Sequence, residues 1–357
     1  LHGADWPALK VTYSRFLDDL RHGRDFAEVL SEMLGELNAS HTGGRYRTGG
    51  EDRDRTASLG LLYEPSEAAM LTVAEVLKRG PADRADSRFE PGTVITHIDG
   101  VALGDDVNPW SLLDRKAGER VRLRAKSASG EVFEEVIKAI PERRERRLRY
   151  LRWMERLRAL TDELSGGRVG YVHVEGMNDP SFRSFYQETL GRQSDKEALI
   201  VDTRYNGGGW LHDDLAAFLQ GEKYLTVVPR DKEPGSFGAE SYERWTRPVA
   251  VVTNESNYSD AFIFPWTFRE LGLGKIVGMP VAATGTAVWW ERLIDPNIVF
   301  GIPQVGMVDS EGSYMENFDL VPDVLVKNDA ESVARGEDKQ IAAAVKVLLE
   351  DLDAAGE

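Results

Sequence analysis

Cysteine is absent from the 357 residues of this chain, which excludes disulfides, cysteine nucleophiles and thiolate-bound metals. Long apolar runs are absent too: none approaches the ~20 residues of a membrane-spanning helix, so no membrane span is predicted. Basic residues number 44 against 60 acidic ones, and the resulting net charge of −16 repels phosphate backbones. We therefore expect no nucleic-acid partner, while the lack of cysteine leaves the compartment open.

The composition is that of a folded chain, because 41% of the residues are hydrophobic and 29% are charged. At about 150 residues per domain, the length predicts two to three domains, each large enough for its own core. The chain begins at Leu1 without an initiator methionine, a basic segment or an apolar segment, so its start is no signal peptide. We expect it to be a piece of a longer protein.

The chain divides into four segments that differ in the spacing of their apolar residues. Apolar residues at helical spacing predict two helices within residues 7–38, with Asp25 as the N-cap of the second. Short alternating runs then predict strands and tight turns, and a long charged helix follows. The last segment alternates buried strands with helices, which is typical of a layered α/β core. The predicted boundaries are 1–56, 57–140, 141–167 and 168–357.

The charged helix predicted over 141–167 contains an arginine-rich run, Glu142 to Arg147. Such a run is compatible with RNA binding. Glutamates interleave with the arginines, however, and the chain is acidic overall. We therefore favour a solvated linker helix carrying Glu–Arg pairs on its surface.

Small and polar residues in the second segment form a recognisable motif. Gly80-Pro81-Ala82 is followed by Pro91-Gly92 and by a predicted strand that ends in the turn Asp99-Gly100. This arrangement resembles a PDZ domain, a small barrel whose edge strand captures an extended peptide. The resemblance implies that the region around Leu59-Gly60-Leu61 binds a peptide carboxylate. A generic small β-domain is the alternative.

A glycine-rich loop is the first candidate functional element. The strand predicted over 198–202 runs into residues 203–209, which end in three consecutive glycines. Such a loop exposes backbone N–H groups that can bind a phosphate or stabilise an oxyanion. Its spacing is neither the G-x-G-x-x-G fingerprint nor a P-loop. A plain strand-to-helix turn is the alternative.

Ser259 is the second candidate. It follows the buried strand predicted over 249–253 and opens a helix. At that position the helix dipole and free N–H groups favour developing negative charge, as at a serine nucleophile. The alternative is that Ser259 only caps the helix, since serine is a preferred N-cap.

His41, which follows Ser40 at the end of a predicted helix, is the third candidate. Histidine is the usual general base for a serine nucleophile, although a single histidine is more often structural. The remaining histidines show no metal-ligand spacing, so no metal site is predicted. They are His2, His22, His97, His173 and His212.

Motifs from both ends of the chain combine into one pattern. They are Gly35-Glu36-Leu37-Asn38-Ala39-Ser40-His41, the PDZ-like insert, Asp202-Thr203-Arg204-Tyr205-Asn206-Gly207-Gly208-Gly209, Asn254-Glu255 with Ser259-Asp260, and Glu316-Asn317 with Val321-Pro322-Asp323. In this order they resemble the catalytic half of the tricorn protease family, serine peptidases related to the carboxyl-terminal processing proteases. The resemblance covers essentially the whole chain.

The resemblance implies a catalytic tetrad. Ser259 corresponds to the nucleophile and His41 to the general base, while Ser40 and Glu316 would orient the imidazole. All four positions hold the expected residue types, which favours an active enzyme over a degenerate scaffold. A hydrogen bond from Ser40 to Glu316 would complete one line of four side chains.

Further site residues are implied by the same resemblance. The backbone N–H groups of Asp260 and Gly208 would form the oxyanion hole. Tyr258 stands where relatives often have a small residue, which would narrow the substrate cleft. An acidic pocket that accepts basic side chains is a further expectation; its candidate residues are Asp213, Asp214 and Asp231.

The expected fold is α/β: a crotonase/ClpP-like layered α/β core with an N-terminal helical segment and an inserted PDZ-like β-domain. The implied activity is that of an ATP-independent serine endopeptidase that cleaves unfolded peptides or oligopeptides, without a cofactor. A homo-oligomer continuous with upstream β-propellers is expected, in the cytoplasm or, with a signal peptide upstream, periplasmic or secreted. A non-catalytic PDZ-type peptide-binding module is the alternative, and a crotonase-like hydratase or isomerase is a more distant one.

Overall fold

The structure is a computed structural model that describes residues 3–47, 55–65, 70–233, 239–240 and 243–356. The chain divides into two compact units. One consists of Leu1–Gly49 together with Leu157–Glu357, and the other, inserted between these pieces in the sequence, is Gly50–Arg156. The inserted unit thus includes much of the charged helix that the sequence suggests as a separate linker.

Helices are present in the N-terminal segment, in the charged segment after residue 141 and between the strands that follow, as the sequence predicts. Within the described ranges, no helix has both the length and the apolar composition to cross a membrane. The α-helices are Trp6–Ser14, Gly23–Gly35, Glu142–Ser165, Asp179–Gln187, His212–Leu219, Asp260–Glu270, Ala330–Ala334 and Lys339–Gly356.

The helix Gly23–Gly35 starts differently from the prediction. Its N-cap is His22, whose backbone N–H donates to the Asp25 carboxylate at 3.3 Å. The prediction that Asp25 is the N-cap is therefore wrong. Asp25 lies in the first turn, where its negative charge interacts favourably with the helix dipole and its carboxylate reaches back to the cap.

A parallel five-stranded sheet forms the centre of the larger unit. Every residue of its first three strands is buried, as expected for a parallel sheet covered on both faces. The strands predicted at 198–202 and 249–253 are confirmed with the same bounds. In spatial order, the strands are Val169–His173, Ala198–Asp202, Val249–Thr253, Gly274–Gly278 and Val324–Leu325.

Helices cover both faces of this sheet. Leu199, Val201 and their counterparts on neighbouring strands pack in one core with aromatic residues of three helices, among them Phe185, Phe218 and Phe262. Alternate residues of a strand point to the opposite face, where the buried side of helix Lys339–Gly356 contacts the sheet. The predicted layered α/β core is therefore present.

The inserted unit is an antiparallel β-structure around its own core. The strand Arg120–Lys126 alternates strictly between buried and exposed residues, and it pairs with Val132–Lys138 as the predicted hairpin. The sheet, in spatial order, contains Leu61–Tyr63, Leu71–Val76, Val94–Ile98, Arg120–Lys126 and Val132–Lys138, with Val101–Ala102 also on Val94–Ile98.

Short antiparallel pairs complete the fold. Gly43–Tyr46 pairs with Ile298–Gly301, which also pairs with Glu291–Arg292. The others are Ala57–Ser58 with Ile140–Pro141, Leu225–Thr226 with Ala239–Glu240, and Thr286–Val288 with Pro303–Gly306.

The charged helix Glu142–Ser165 carries the expected pairs. Glu142 contacts Arg146 at 3.6 Å and Glu145 contacts Arg149 at 2.5 Å, each four residues apart. Such exposed pairs add only a few tenths of a kcal/mol each.

Candidate active site

Two loops of the larger unit meet at one edge of the parallel sheet. One follows the strand Ala198–Asp202 and contains Gly208; the other follows Val249–Thr253 and ends at Ser259. Parallel strands end at the same edge, so the two loops lie side by side. A third loop, before the strand Gly43–Tyr46, brings His41 to this place. Its Nε2 lies 2.9 Å from Ser259 Oγ, although 218 positions separate the two residues.

Ser259 has the backbone of a sharp strand-to-helix turn. Its φ of 56° and ψ of −126° lie in a region that L-residues rarely adopt, at a cost of about 1–3 kcal/mol. It occupies the N-cap position of the helix Asp260–Glu270, yet its side chain makes no capping hydrogen bond. The hydroxyl faces His41 instead, so the interpretation of Ser259 as a mere helix cap does not describe the structure.

Gly208 lies directly against Ser259. A Cβ added to Gly208 would stand 2.5 Å from Ser259 Cβ and 3.1 Å from the Asp260 nitrogen, and its φ is +95°. Only glycine fits this close approach. The Gly208 N–H donates to the side-chain oxygen of Asn206 at 2.9 Å, so this predicted oxyanion donor already has one acceptor.

A line of hydrogen bonds continues behind His41. Ser40 Oγ lies 2.9 Å from His41 Nδ1 and 3.1 Å from Glu316 Oε2. The backbone N–H of Ser40 donates to Glu316 Oε1 at 2.5 Å, so the carboxylate holds Ser40 at two points. Glu316 is only 5% exposed, and its charge is therefore little screened by water. The structure brings Glu316, Ser40, His41 and Ser259 together in that order.

The surroundings of His41 favour its neutral form. Burial lowers the pKa of His41, and the negative charge of Glu316 opposes this effect only in part. A neutral imidazole with an unprotonated Nε2 can accept a proton from Ser259. The hydroxyl of Tyr258 accepts a hydrogen bond from the His41 backbone N–H at 2.8 Å, and the two rings lie 4.8 Å apart.

Asp260 connects the two loops through its carboxylate. The carboxylate accepts hydrogen bonds from the backbone N–H groups of Leu211 and His212, at 2.5 and 3.1 Å, and from His212 Nδ1 at 2.5 Å. The hydrogen bond to Asp260 raises the pKa of His212. Sequence reasoning identified Asp260 only by its backbone N–H and missed its contact with His212.

The three aspartates expected to form an acidic pocket lie on the surface, and whether they accept basic side chains stays a prediction. Asp213 and Asp214 are exposed in the first turn of helix His212–Leu219, and Asp231 is exposed in a turn. Their contribution in the structure is electrostatic: Asp213 and Asp214 help raise the pKa of His212. Across the described residues, none of the three forms an ion pair, and no cluster of three His, Asp or Glu side chains is arranged to hold a metal ion.

Two threonines that contact Ser259, Ser40 and His41 were missed by sequence reasoning. Thr284 Oγ1 accepts a hydrogen bond from the Ser259 backbone N–H at 2.6 Å. Thr286 Oγ1 lies 2.7 Å from Ser40 Oγ and 3.1 Å from His41 Nδ1. No local pattern around these threonines indicates a site, because their partners lie far away in the sequence.

Comparison with known proteins finds relatives along the whole chain. Residues 168–326 match the profile of Peptidase family S41, and residues 1–35 match the Tricorn protease C1 domain. The putative tricorn protease homolog 2 of Streptomyces coelicolor is 29% identical over 98% of this chain, which covers 31% of that protein. The tricorn protease of Thermoplasma acidophilum is 27% identical over 92% of this chain and is also covered to 31%.

The fold agrees with these matches. The crystal structure of the tricorn protease superposes with a TM-score of 0.86 at 24% identity, over 97% of this chain and 34% of that one. The chain thus has a mixed α/β fold like that of the tricorn protease, and residues 168–326 resemble the serine peptidases of family S41. More particularly, the chain is similar to the tricorn proteases over nearly its whole length. It spans about a third of the length of the relatives that it matches.

Proposed function

We propose that this chain is an ATP-independent serine endopeptidase that works through an acyl-enzyme, without a cofactor. The observation that carries the proposal is the 2.9 Å contact between Ser259 Oγ and His41 Nε2, at the end of a hydrogen-bonded line from the buried Glu316. A nucleophile, a base within hydrogen-bond reach and a group that orients the base are the three parts that acyl transfer requires.

In the first step, Ser259 Oγ attacks the carbonyl carbon of the scissile bond while its proton passes to His41 Nε2. The C–N bond then breaks, and His41 returns the proton to the leaving amine. Water, deprotonated by the same imidazole, hydrolyses the resulting ester and restores the Ser259 hydroxyl. The neutral state that burial favours for His41 is the one this sequence of steps needs at the start.

The oxyanion would be held by backbone N–H groups of Asp260 and Gly208. Asp260 is the first residue of its helix, where N–H groups have no acceptor within the helix and the dipole favours negative charge. Gly208 N–H would share its hydrogen between Asn206 and the oxyanion, or exchange one acceptor for the other. Loss of one such donor in another serine peptidase costs about 10²–10³-fold in kcat.

Glu316 would act through Ser40 on the imidazolium that forms during attack. The two contacts between Glu316 and Ser40 keep the Ser40 hydroxyl beside Nδ1, so that the buried charge stabilises His41 when it is protonated. This is the role of the third member of a catalytic triad, taken here by two residues.

The proposed substrates are unfolded peptides or oligopeptides. Attack by Ser259 requires a carbonyl between the hydroxyl and the Asp260 N–H, which an extended chain can present and a folded domain cannot. In the inserted unit, the strand Leu61–Tyr63 ends the sheet and is paired on one side only among the described residues. That free edge supports the PDZ-like interpretation of residues 57–140, in which an extended peptide adds a strand.

The remaining parts of the proposal rest on family resemblance. They are the crotonase/ClpP-like detail of the core, assembly into a homo-oligomer and attachment to upstream β-propellers. Sedimentation of the chain at micromolar concentration tests assembly into a homo-oligomer, and a pure monomer would contradict that assembly.

The decisive experiment labels the protein with a fluorophosphonate and maps the modified peptide. We expect the label on Ser259, and we expect Ser259→Ala to lower peptide hydrolysis by about 10⁶-fold. Ser256→Ala, in the same loop, is the matched control and should keep its label at Ser259. A chain that binds peptides yet takes no label and cleaves nothing would instead be the non-catalytic peptide-binding module.

A further inference from the structure

One short segment touches every member of the proposed tetrad. Thr284 accepts the Ser259 backbone N–H, as described above. Gly285 lets the backbone of Met315 and Glu316 approach closely. A Cβ added to Gly285 would lie 3.3 Å from the Glu316 nitrogen and 2.8 Å from Met315 Cβ. Thr286 contacts both Ser40 and His41. The threonines are 4% and 7% exposed, so water does not compete effectively for their hydroxyls.

The hydrogens around Ser40 Oγ can be counted. A hydroxyl has one hydrogen to donate and two lone pairs to accept with. Ser40 Oγ has three neighbours at hydrogen-bond distance: His41 Nδ1, Thr286 Oγ1 and Glu316 Oε2. The Glu316 carboxylate can only accept, so it takes the Ser40 hydrogen. Both lone pairs of Ser40 then face donors, which must be His41 Nδ1–H and the Thr286 hydroxyl.

A second arrangement would stop the reaction. If the Ser40 hydroxyl donated to an unprotonated Nδ1, the imidazole hydrogen would sit on Nε2, which could not accept the proton of Ser259. The Glu316 carboxylate would also lose the Ser40 hydrogen. The two arrangements differ only in where two hydrogens lie, so a nearby group that prefers one of them decides the tautomer.

Thr286 is placed to make that choice. When Ser40 donates to Glu316, the Thr286 hydroxyl donates to Ser40 Oγ at 2.7 Å, which is nearer than the Ser40 carbonyl oxygen at 3.3 Å. A lone pair of Thr286 Oγ1 then faces His41 Nδ1, 3.1 Å away. Donation by Thr286 to an unprotonated Nδ1 would instead require its hydroxyl to give up the shorter contact with Ser40 Oγ. A lone pair there attracts Nδ1–H and repels an unprotonated Nδ1. The same lone pair stabilises the imidazolium, which carries a hydrogen on Nδ1.

We propose that Thr286 is a positioning residue that holds His41 in the tautomer with the hydrogen on Nδ1 and directs the Ser40 hydrogen to Glu316. This inference rests on the proposed function, because it concerns the same proton transfer. Among the described residues, the hydrogen bonds of Thr286 go to Ser40 and His41 and not to Ser259, so we expect it to act through His41 and Ser40.

Thr286→Val removes the hydroxyl at nearly constant volume, and Thr286→Ser keeps it. We expect Thr286→Val to lower kcat about 10- to 100-fold, the effect of losing one hydrogen bond to a charged group, with KM nearly unchanged. Thr286→Ser should stay within about threefold of the wild type. The titratable and hydroxyl groups that face the imidazole are Glu316, which acts by way of Ser40, together with Tyr258 and Ser259. Neither substitution of Thr286 alters any of them.

The pH profile separates this role from a structural one. Without the Thr286 lone pair the imidazolium is less stable, so the acid limb of kcat/KM should move to lower pH as the plateau falls. A variant that only damages packing would have a lower maximum kcat/KM, but the pH at which kcat/KM falls on the acid side would not change. Thr189→Val is the matched control: Thr189 is fully buried, its hydroxyl has no partner among the described residues, and activity should not change.

A direct measurement needs no variant. In the wild-type protein with ¹⁵N-labelled histidine, NMR should show the His41 hydrogen on Nδ1 at neutral pH. A spectrum with the hydrogen on Nε2 would overturn the proposal, as would Thr286→Val with wild-type kcat and pH profile. If Thr286→Val does not fold, Thr286→Ala takes its place. Retained hydrolysis in Ser259→Ala, by contrast, would overturn the proposed function itself.

Discussion

Replacing Gly208 by alanine tests the geometry around Ser259 most sharply. The new Cβ would stand 2.5 Å from Ser259 Cβ and 2.7 Å from the Tyr258 carbonyl oxygen. Ordinary carbon–carbon contacts lie at about 3.5–4.0 Å, so Ser259 or the glycine loop must move by about 1 Å. Neither neighbour is the free end of a flexible side chain, and the shift therefore reaches the nucleophile itself.

Two consequences follow, with different readouts. A displacement of about 1 Å in a catalytic group can cost about 10²-fold in rate, so kcat should fall at least that far. The φ of +95° adds backbone strain of about 1–3 kcal/mol for a residue with a Cβ. For a unit of this size that strain lowers Tm by about 2–12 °C. The variant should therefore be folded and almost inactive.

The neighbouring glycines are matched controls. Gly207 has open space around its Cβ position and lies outside the left-handed region, so Gly207→Ala should behave as the wild type. Gly209→Ala would place a Cβ 1.9 Å from the Met177 carbonyl oxygen and should prevent folding of the loop. Hydrolysis of a fluorogenic peptide and thermal unfolding measure both effects. Gly208→Ala with kcat within twofold of the wild type, or Gly207→Ala with an equal loss, would refute the reasoning.

Three further predictions follow from the same contacts. Glu316→Gln should lower kcat by about 10–10⁴-fold, the upper end being the cost of disabling a direct triad carboxylate; steady-state kinetics with an unchanged kcat would exclude the relay through Ser40. Because burial lowers the pKa of His41, kcat/KM should rise with pH through a midpoint below about 6.5, and a midpoint above that value would contradict a buried base. His212 has a raised pKa, so its contribution to stability should be full below about pH 6.5 and lost as pH rises through its folded pKa. In His212→Gln, the decrease in Tm that accompanies deprotonation of His212 should disappear. If Tm of the variant depends on pH as in the wild type, His212 does not make this contribution.

The elements that the sequence predicts best are those in which one local pattern decides the outcome. The strands at Ala198–Asp202 and Val249–Thr253 are uninterrupted apolar runs between polar loops, and the structure confirms both with the predicted bounds. Gly274–Gly278, in the same sheet, was missed because two of its five residues are glycine, which weakens the strand signal. Its place in the sheet is set by pairing with Val249–Thr253, which no local window contains.

The same distinction holds within the site. Ser259 and His41 carry local signals, because one opens a helix after a buried strand and the other precedes a glycine turn. The importance of Thr286 has no local signal, because its partners lie 245 and 246 positions away. Tyr258 was expected from family resemblance to narrow the cleft; the structure adds a contact with the His41 backbone N–H that only the folded chain creates.

Asp260 shows why the two loops act as one piece. As the residue after the proposed nucleophile, Asp260 would supply a backbone N–H to the oxyanion, a role for which any residue other than proline would serve. Its carboxylate, however, binds Leu211 and His212 at the end of the glycine loop. The glycine loop cannot move away from the helix Asp260–Glu270 without breaking these bonds in a buried place, where an unpaired carboxylate is costly. The spacing between the proposed donors at Gly208 and Asp260 is thus fixed by a side chain, which gives this position a physical reason to be acidic.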